Sequence, residues 1–328
     1  MYIRSLIGIF LLSLSHLLLA VNTLTLKNMS VDFDESMGKG SQFYKRCINN
    51  DIKYNWCTFP RNPFELFSFF KSLYLRNNLN NVVCQINPKI PKIIHIQWIG
   101  KEFPEKFHKF RESWIALHPT WTHVLWTDNP INYKFGTFIN DVNTLKRDLL
   151  SGKYAGKSIV LDIKNLIFEN KRYYLESKNI GEKTDITAYE FVYQFGGVYI
   201  DVDFECLQSL DILHHCYDYY IGIQPLDETL ALGKGIFGAI PGHPILKHCI
   251  STIQNDRNKN EVIKRTGPIH CTRSFWASAP TAPGINIALP ASFFYPVKAS
   301  DKNLTREEMN TLVKPESFGI HHWAASWR

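Results

Sequence analysis

Residues 195–205, FGGVYIDVDFE, join a glycine pair, a short apolar run and two aspartates separated by one position. The preceding residues 184–195, TDITAYEFVYQF, repeat apolar side chains at helical spacing, and the two glycines are a typical helix stop. The order of helix, glycine stop, strand and acidic pair predicts an α/β domain in which Asp201 and Asp203 stand at the end of a strand.

The start of this helix is expected at a threonine. Thr184 is one candidate cap, and Thr187 with Glu190 would form a capping box.

The segments around this stretch predict further strands and helices of one parallel, Rossmann-like sheet. An apolar run within residues 89–100 is followed by a helical pattern over residues 103–119 and a second run at residues 121–128. Further strands are expected at residues 158–163 and 217–224. Such a β-α-β arrangement places ligands beyond the carboxyl ends of the strands, and Trp98 and Asp128 lie at two of these ends.

The acidic pair indicates a metal site. Side chains alternate along a strand, so Asp201 and Asp203 are expected to point the same way and Val202 to the opposite face. Two neighbouring carboxylates raise one another's pKa unless a cation joins them, and oxygen ligands suit Mg2+ or Mn2+. The pair therefore predicts a metal and diphosphate site, and a strand end with two surface carboxylates is the alternative.

A second pair with the same spacing provides an internal comparison. Asp32 and Asp34 lie in a polar stretch, VDFDESMGKG, that shows no pattern of a strand or helix. We expect this pair to lie in a solvated turn.

The C-terminal residues 319–328, GIHHWAASWR, form another polar and aromatic cluster. An imidazole of His321 and the hydroxyl of Ser326, next to Trp327, could complete a metal or phosphate site. The alternative is the edge of a C-terminal strand. Residues 151–158, SGKYAGKS, have three residues between the glycines where a phosphate loop needs four, so we expect a surface loop there.

Several segments together resemble the family 32 glycosyltransferases, which contain a DxD region and include initiating mannosyltransferases and α-1,4-galactosyltransferase-like proteins. The resemblance covers about residues 89–328. Its segments occur in the family's order: KIIHIQWIG, LWTD, TDITAYEFVYQFGGVYIDVDFECL, GIFGAIPGHPIL, TGP and HHWAASW. The resemblance implies a mixed α/β fold of the GT-A type, and retaining transfer of a sugar from a UDP- or GDP-sugar to a glycan or another hydroxyl acceptor with Mn2+ or Mg2+.

The resemblance also implies roles for individual residues. Asp203 matches the aspartate that ligates the metal, and Asp201 matches one that contacts the ribose, the donor sugar or metal-bound water. Asp185 matches an acidic residue that holds hydroxyls of the donor sugar. Trp98 resembles an aromatic residue that stacks on the nucleobase. His321 matches a histidine near the metal and diphosphate.

In the same comparison, Ser326 and Trp327 would close over the metal and diphosphate. The chain departs from the family pattern at Ala188, where members usually carry an arginine that contacts the donor. Lys183 is a candidate to supply the missing charge.

The charge distribution and the N-terminal residues indicate which partners and which cellular location to expect. The net charge of +7 is spread over the 328 residues without a basic run, so nucleic acid is not an expected partner. Residues 1–21 resemble a signal peptide or signal anchor, with possible membrane attachment through residues 5–21. We therefore expect either a Golgi membrane protein with a luminal catalytic domain or a secreted protein. Residues 22–88 are expected to be a stem or N-terminal extension, and residues 89–328 the glycosyltransferase domain.

Seven cysteines fit an oxidising compartment, in which Cys47 could pair with Cys57, or Cys206 with Cys216. The odd number leaves at least one thiol without a partner in the chain.

Two other functions compete with sugar transfer. A protein of the same fold could bind carbohydrate without catalysis, an alternative raised by Ala188. A phosphatase of the haloacid type also carries DxD after a strand, but Glu205 occupies a position where that class has Thr or Val.

Overall fold

A computed structural model of the chain describes residues 29–49, 63–225 and 230–325. Apolar runs rich in β-branched and aromatic residues form the strands, because such side chains pack well on a buried, pleated surface. The strands of the described residues are β1 Ile93–Trp98, β2 Thr122–Thr127, β3 Thr137–Phe138, β4 Ser158–Asp162, β5 Gly197–Ile200, β6 Phe204–Cys206, β7 Tyr219–Ile223, β8 Leu232–Ala239, β9 Asn286–Leu289 and β10 Gly319–His321.

Helices connect and cover these strands. Those of the described residues are α1 Phe33–Ser36, α2 Gln42–Ile48, α3 Pro63–Asn77, α4 His108–Leu117, α5 Leu145–Leu150, α6 Lys171–Glu176, α7 Ile180–Phe195, α8 Asp211–Cys216, α9 Pro244–Thr252, α10 Val262–Arg265, α11 Pro268–Ser278 and α12 Arg306–Leu312. None of these helices combines the length and the apolar character that a membrane span requires. The predicted signal or anchor segment lies outside the described residues.

Eight strands form one sheet in the order β3-β4-β2-β1-β5-β8-β7-β9. The strands from β3 to β5 in this order run parallel to one another, and β8 runs antiparallel to both β5 and β7. β7 and β9 are again parallel, and β6 with β10 forms a separate antiparallel pair. The predicted mixed α/β sheet flanked by helices is confirmed.

The topology contains one reversal that positions the site. On one side of β1 the sheet continues with β2, β4 and β3, all formed before residue 163, and the chain then places β5 on the other side of β1. In open α/β sheets, ligands bind at such a reversal, beyond the carboxyl ends of the strands. Trp98 ends β1 and Asp201 directly follows β5, so these two predicted site residues lie at the reversal.

The strands and helices predicted around the DxD segment are confirmed, but α7 begins earlier than expected. Asn179 caps it, since its side chain accepts a hydrogen bond from the backbone N–H of Glu182. The hydroxyl of Thr187 instead donates to Gln97 Oε1 at 2.9 Å. Capping by Thr184 or Thr187 was therefore a wrong prediction, because both residues lie inside the helix.

The glycine pair after α7 is required by the backbone and by close packing. Gly196 and Gly197 have φ angles of 67° and 92°, a region that other residues rarely adopt. A Cβ atom on Gly197 would also lie only 2.5 Å from the backbone oxygen of Ile93. These two residues turn the chain from the helix directly into β5, as predicted.

The N-terminal residues pack into the same hydrophobic core as the sheet. Phe33 of α1 and Phe67 and Phe70 of α3 belong to the core cluster that also contains the residues of β1 and β5. The division of the chain into a stem and a catalytic domain at residue 88 stays a prediction.

The comparison pair of aspartates does not lie in a simple solvated turn. Asp32 caps α1 by accepting a hydrogen bond from Glu35 N, and Asp34 lies within α1, where it forms an ion pair with Lys71 at 2.5 Å. The expectation that no helix would place this pair was wrong. Both carboxylates have local structural roles instead.

A disulfide links the segment that follows α3 to the end of α8. Cys84 is bonded to Cys216, with a sequence separation of 132. The predicted pair of Cys206 and Cys216 was therefore wrong, and the Cys206 thiol instead contacts the Gln208 carbonyl at 3.3 Å. The alternative of Cys47 with Cys57 involves a residue outside the described ranges.

We expect the Cys84→Ser/Cys216→Ala variant to lose about 3 kcal/mol of unfolding free energy, because a crosslink across a long loop restricts the unfolded chain. Urea unfolding with and without reductant measures this loss. The parent should lose stability on reduction, and the variant should not respond. A parent that is equally stable with and without reductant would contradict the assigned disulfide.

Candidate active site

A cavity of about 480 Å3 opens at the reversal of the sheet. It is lined by the predicted site residues that the structure describes, which are Trp98, Asp185, Asp201, Asp203 and His321. Ser326 and Trp327 lie outside the described residues. The structure thus brings together side chains that come from β1, α7, the end of β5 and the C-terminal strand β10.

The two aspartates reach the cavity through a turn and not through a strand. β5 ends at Ile200, and the turn is closed by a hydrogen bond from Phe204 N to the Asp201 carbonyl at 3.1 Å. Val202, between the two aspartates, also lines the cavity, and it packs against the hydrophobic core. Asp201 and Asp203 share the cavity because the turn presents them there, and strand alternation is not the reason.

Asp201, Asp203 and His321 form a compact cluster in which one potential ligand atom from each lies within 4.8 Å of the others. Strand pairing explains the contact, since β10 aligns His321 opposite Phe204 of β6, next to Asp203. The His321 Nε2 atom lies 3.3 Å from Asp203 Oδ1. Asp203 Oδ2 accepts a hydrogen bond from Ala324 N at 2.7 Å, so both of its oxygens are positioned.

The donor atoms of this cluster fit a divalent metal ion. Two carboxylates and an imidazole are a donor set that can bind a divalent metal ion, with further oxygen ligands from a substrate or water. In addition, the His321 Nδ1 atom is buried and has no hydrogen-bond partner among the described residues. A buried polar atom without a partner is rare in proteins and is consistent with a ligand or water that completes the site.

The surroundings of the cluster shift the pKa values of the two aspartates in opposite directions. Burial alone would raise the pKa of Asp203, but the neighbouring His321 lowers it to about 2. Burial raises the pKa of Asp201, and the nearby Asp203 adds to this effect while Lys234 opposes it. The pKa of His321 is raised, since the attraction of Asp203 and Asp201 outweighs the effect of burial. The cluster therefore favours a positive charge between the carboxylates.

The Asp201 side chain is fixed by a neighbouring tyrosine and by the adjacent strand. Tyr199 donates its hydroxyl to Asp201 Oδ1 at 2.8 Å, and Asp201 N donates to the Gly235 carbonyl at 2.8 Å. A Cβ atom on Gly235 would approach Asp201 Oδ2 to 3.1 Å, closer than most Cβ contacts. A glycine at this position leaves room for the carboxylate.

Asp185 is held through both carboxylate oxygens by residues that sequence reasoning missed. Lys234 of β8 forms an ion pair with Oδ1 at 2.6 Å, and the Thr266 hydroxyl donates to Oδ2 at 2.9 Å. A signal for Lys234 is present in the sequence, because it is a lone charge between two glycines in the apolar run LGKGIFGA of β8. Thr266 belongs to the TGP segment, for which the sequence alone indicated no contact.

A buried ion-pair network anchors the first turn of α7, one turn before Asp185. Arg265 donates to both carboxylate oxygens of Glu182, at 2.9 and 3.0 Å, and Arg257 binds the same carboxylate. Bidentate contacts of this kind fix geometry as well as charge. The network holds the start of the helix against the segment that carries Thr266.

Trp98 has a fixed ring orientation at the cavity wall. Its indole N–H donates to the backbone oxygens of Lys101 and Glu102 at 3.0 and 3.1 Å. Its ring lies against Phe103 and Phe107, with centroid distances of 5.7 and 5.8 Å. A half-buried, oriented indole of this kind can stack on a flat ligand group.

Ala188 and Lys183, the two positions considered for a cation that contacts the donor, both lie outside the cavity lining. Ala188 is completely buried and is not among the residues that line the cavity. The Lys183 ammonium lies over the ring of Tyr174, 5.0 Å from its centroid, and Lys183 does not line the cavity either.

Comparison with known proteins identifies the region that carries the acidic pair. Residues 104–219 match the family model described as a glycosyltransferase sugar-binding region containing a DXD motif. The match includes Asp185, Asp201 and Asp203, whereas Trp98, Lys234 and His321 lie outside it. The family resemblance inferred from the sequence is confirmed.

Curated relatives include the inositol phosphoceramide mannosyltransferase 3 of Schizosaccharomyces pombe, which is 28% identical over 164 residues, or 50% of this chain and 37% of the relative. A mannosyl phosphorylinositol ceramide synthase of Saccharomyces cerevisiae, CSH1, is 24% identical over 229 residues, 66% of this chain and 52% of the relative. The chain thus spans about half or less of the length of these relatives. Among solved structures, the PaToxG glycosyltransferase is 18% identical, with a TM-score of 0.46 and coverage of 66% of this chain and 78% of that one.

Proposed function

We propose, from the premise that this chain carries the DXD-containing sugar-binding region of glycosyltransferases, that it is a metal-dependent hexosyltransferase. It moves a sugar from a nucleotide-sugar donor to a hydroxyl of a glycan or glycoconjugate and retains the anomeric configuration. The observation that carries this proposal is the cluster of Asp201, Asp203 and His321 in the lining of a cavity large enough for a nucleotide sugar.

Each lining residue has a chemical task in this proposal. Asp203 and His321 hold the metal, and Asp201 contacts the metal, the ribose or the donor sugar. Asp185 accepts hydrogen bonds from hydroxyls of the donor sugar, supported by its buried and fixed carboxylate. Trp98 stacks on the nucleobase, supported by the fixed orientation of its ring at the cavity wall.

In the same proposal, Ser326 and Trp327 close over the diphosphate. A bound Mn2+ or Mg2+ would neutralise the negative charge that develops on the diphosphate as the bond between sugar and phosphate breaks. The protein's own contribution is to keep the Asp203 carboxylate ionised, which its lowered pKa supports. The acceptor hydroxyl attacks from the side of the leaving group, assisted by a phosphate oxygen of the donor.

The relatives suggest which donor to test first. Their printed names include mannosyltransferases of inositol phosphoceramide, so GDP-mannose is the first donor to try, followed by UDP-sugars. We place the protein in the secretory pathway, either anchored in a Golgi membrane with a luminal domain or secreted. The disulfide between Cys84 and Cys216 supports an oxidising compartment.

The family match favours sugar transfer over the haloacid-type phosphatase considered from the sequence. A protein that binds the nucleotide sugar without turning it over is the second candidate. The absence of an arginine at Ala188 raised this candidate. Lys234, a buried cation in the cavity lining, argues against it, because the site retains a cation.

We expect the full-length chain to be stabilised by GDP or UDP, with or without the sugar, only when Mn2+ is present. A ligand at about 100 times its dissociation constant adds roughly 2.7 kcal/mol to the unfolding free energy, which raises the melting temperature measurably. A thermal-shift panel with each nucleotide identifies the base.

The Asp201→Asn/Asp203→Asn double variant is the control for this panel. It should lose the metal-dependent rise in melting temperature. Equal stabilisation of the parent and the double variant by the same nucleotide would contradict the proposed metal site. Sugar transfer measured with the stabilising donor then separates an enzyme from a protein that only binds.

A further inference from the structure

The Lys234 ammonium is an unusual feature of the cavity lining. The side chain of this lysine is only 5% exposed, yet the residue lines the cavity beside Asp185. It lies over the ring of Tyr199, 4.7 Å from the centroid. Burying an ammonium costs free energy that one ion pair and one aromatic ring offset only in part, so this position calls for a further role.

The ammonium retains donors that can face a ligand. An ammonium carries three N–H groups, and the ion pair with Asp185 Oδ1 at 2.6 Å occupies one of them. No hydrogen-bond acceptor for the other two appears among the described residues. Lys302, by contrast, is an exposed lysine at the rim of the same cavity.

Asp185 and Lys234 form a fixed pair in which the carboxylate accepts hydrogen bonds and the ammonium donates them. The Thr266 hydroxyl donates to the second oxygen of Asp185 and Lys234 pairs with the first, so both carboxylate oxygens are held, and Gly267 has no Cβ atom to crowd the second oxygen. Each carboxylate oxygen keeps a further lone pair, whereas the ammonium can only donate. An acceptor and a donor therefore stand next to each other at the cavity surface.

We propose that Lys234 and Asp185 together bind two neighbouring hydroxyls of the donor sugar. Lys234 donates a hydrogen bond to the oxygen of one hydroxyl, and Asp185 accepts a hydrogen bond from the other. Adjacent hydroxyls match an adjacent donor and acceptor, because a hydroxyl can play either part. Lys234 is thus the specificity-determining cation of the site. This inference rests on the proposed transferase function and adds the residue that selects the sugar.

The Lys234→Met variant tests the inference, since methionine keeps an unbranched apolar side chain and removes the charge. We expect the affinity for a nucleoside diphosphate with Mn2+ to stay within about twofold. The affinity for the matching nucleotide sugar should fall by about 10- to 100-fold, as expected for the loss of a charged hydrogen bond. Calorimetric titration of the full-length chain with both ligands measures the two affinities. Lys89→Met is the matched control that should change neither, because Lys89 also forms a largely buried ion pair, with Asp218, but does not line the cavity.

Deoxy analogues of the donor sugar sharpen the test. In the parent, removal of the hydroxyl that Lys234 contacts should weaken binding, and in Lys234→Met the same removal should have no further effect. A Lys234→Met variant that cannot be purified is replaced by Asp185→Asn/Lys234→Met, which removes both charges of the pair. The double variant should likewise bind the nucleoside diphosphate and lose the preference for its sugar.

Three results overturn the inference. Equal losses for the nucleoside diphosphate and the nucleotide sugar would show that Lys234 contacts phosphate. Unchanged sugar affinity in Lys234→Met would show that the ammonium has only a structural role. A parent that binds no nucleotide would overturn the proposed function, and the inference with it, whereas the first two results leave nucleotide binding intact.

Discussion

Turnover in the Asp203→Asn variant should fall by about a thousandfold or more, a loss of roughly 4 kcal/mol of transition-state stabilisation. The variant removes the charge that attracts both His321 and a divalent cation. Asparagine has nearly the same size and can still accept the hydrogen bond from Ala324 N, so the local fold should persist. Initial rates of sugar transfer across a series of Mn2+ concentrations measure the effect.

The chain offers a matched control in its other acidic pair. Asp32→Asn makes the same chemical change in a DxD sequence away from this cavity, and asparagine remains a good helix cap at that position. We expect this control to keep its activity and its response to Mn2+. If Asp203→Asn keeps its rate within about tenfold of the parent, the assignment of Asp203 to the metal is wrong.

The second large effect concerns pH. Unfolding free energy should decrease as the pH falls from about 6.5 towards 4, because several histidines are buried in the neutral form. Burial lowers the pKa of His95, His118 and His243 to about 4 and that of His214 to about 3. The unfolded chain binds protons at these sites from about pH 6.5 downward, whereas the folded chain does not until the pH approaches 4.

In His95 and His118, hydrogen bonds to both ring nitrogens also disfavour the binding of a second proton. In His95, one ring nitrogen contacts the Gly196 carbonyl at 2.8 Å, and the other accepts the indole N–H of Trp126 at 3.1 Å. In His118, one nitrogen contacts the Trp114 carbonyl, and the other accepts the backbone N–H of Leu210 at 2.9 Å. A second proton would therefore point at an N–H group.

Each such imidazole removes about 2 kcal/mol of unfolding free energy at pH 5 relative to neutral pH. The raised pKa values of His321 and Asp201 act in the opposite direction, whereas burial also lowers the pKa of His123 and His248, which adds to the loss. Urea unfolding at several pH values between 4.5 and 8 measures the slope of unfolding free energy against pH.

A single variant measures the contribution of one imidazole, that of His243, to the pH dependence of the unfolding free energy. His243 caps α9 by accepting a hydrogen bond from Ile245 N, and asparagine is also a good cap. His243→Asn should therefore have a flatter pH slope than the parent, whatever its stability at neutral pH. Ser41 provides the control, since it caps α2 in the same way and has no group that titrates in this range, so Ser41→Asn should leave the slope unchanged. Parallel slopes for the parent and His243→Asn would contradict the explanation.

Local patterns predicted the elements of the fold well. Apolar periodicity indicated the strands and helices around the reversal of the sheet, and the glycine pair indicated where α7 ends. These features depend on neighbours within a few residues, which a sequence displays directly. The start of α7 was misplaced because Asn179, Thr184 and Thr187 are all plausible caps, and only tertiary packing decides among them.

The order of helix, glycine pair, strand and acidic pair indicated the positions of Asp201 and Asp203, and the six ordered segments indicated the family resemblance that pointed to Asp185. By contrast, the turn that presents the aspartates could not be distinguished from a continuing strand, since both place an acidic pair after apolar residues. The contact of His321 with Asp203 could be proposed only by resemblance, because it depends on the pairing of β10 with β6.

What the sequence determined by itself was therefore the order of the elements and the acidic motif at the end of β5. Only the tertiary structure decided that Lys234 and Thr266 hold Asp185, and that Cys84 bonds to Cys216. These contacts join residues far apart in the chain, and their formation depends on strand pairing and core packing over the whole domain. Local propensity contains no information on such pairs, because many distant partners have the same chemistry.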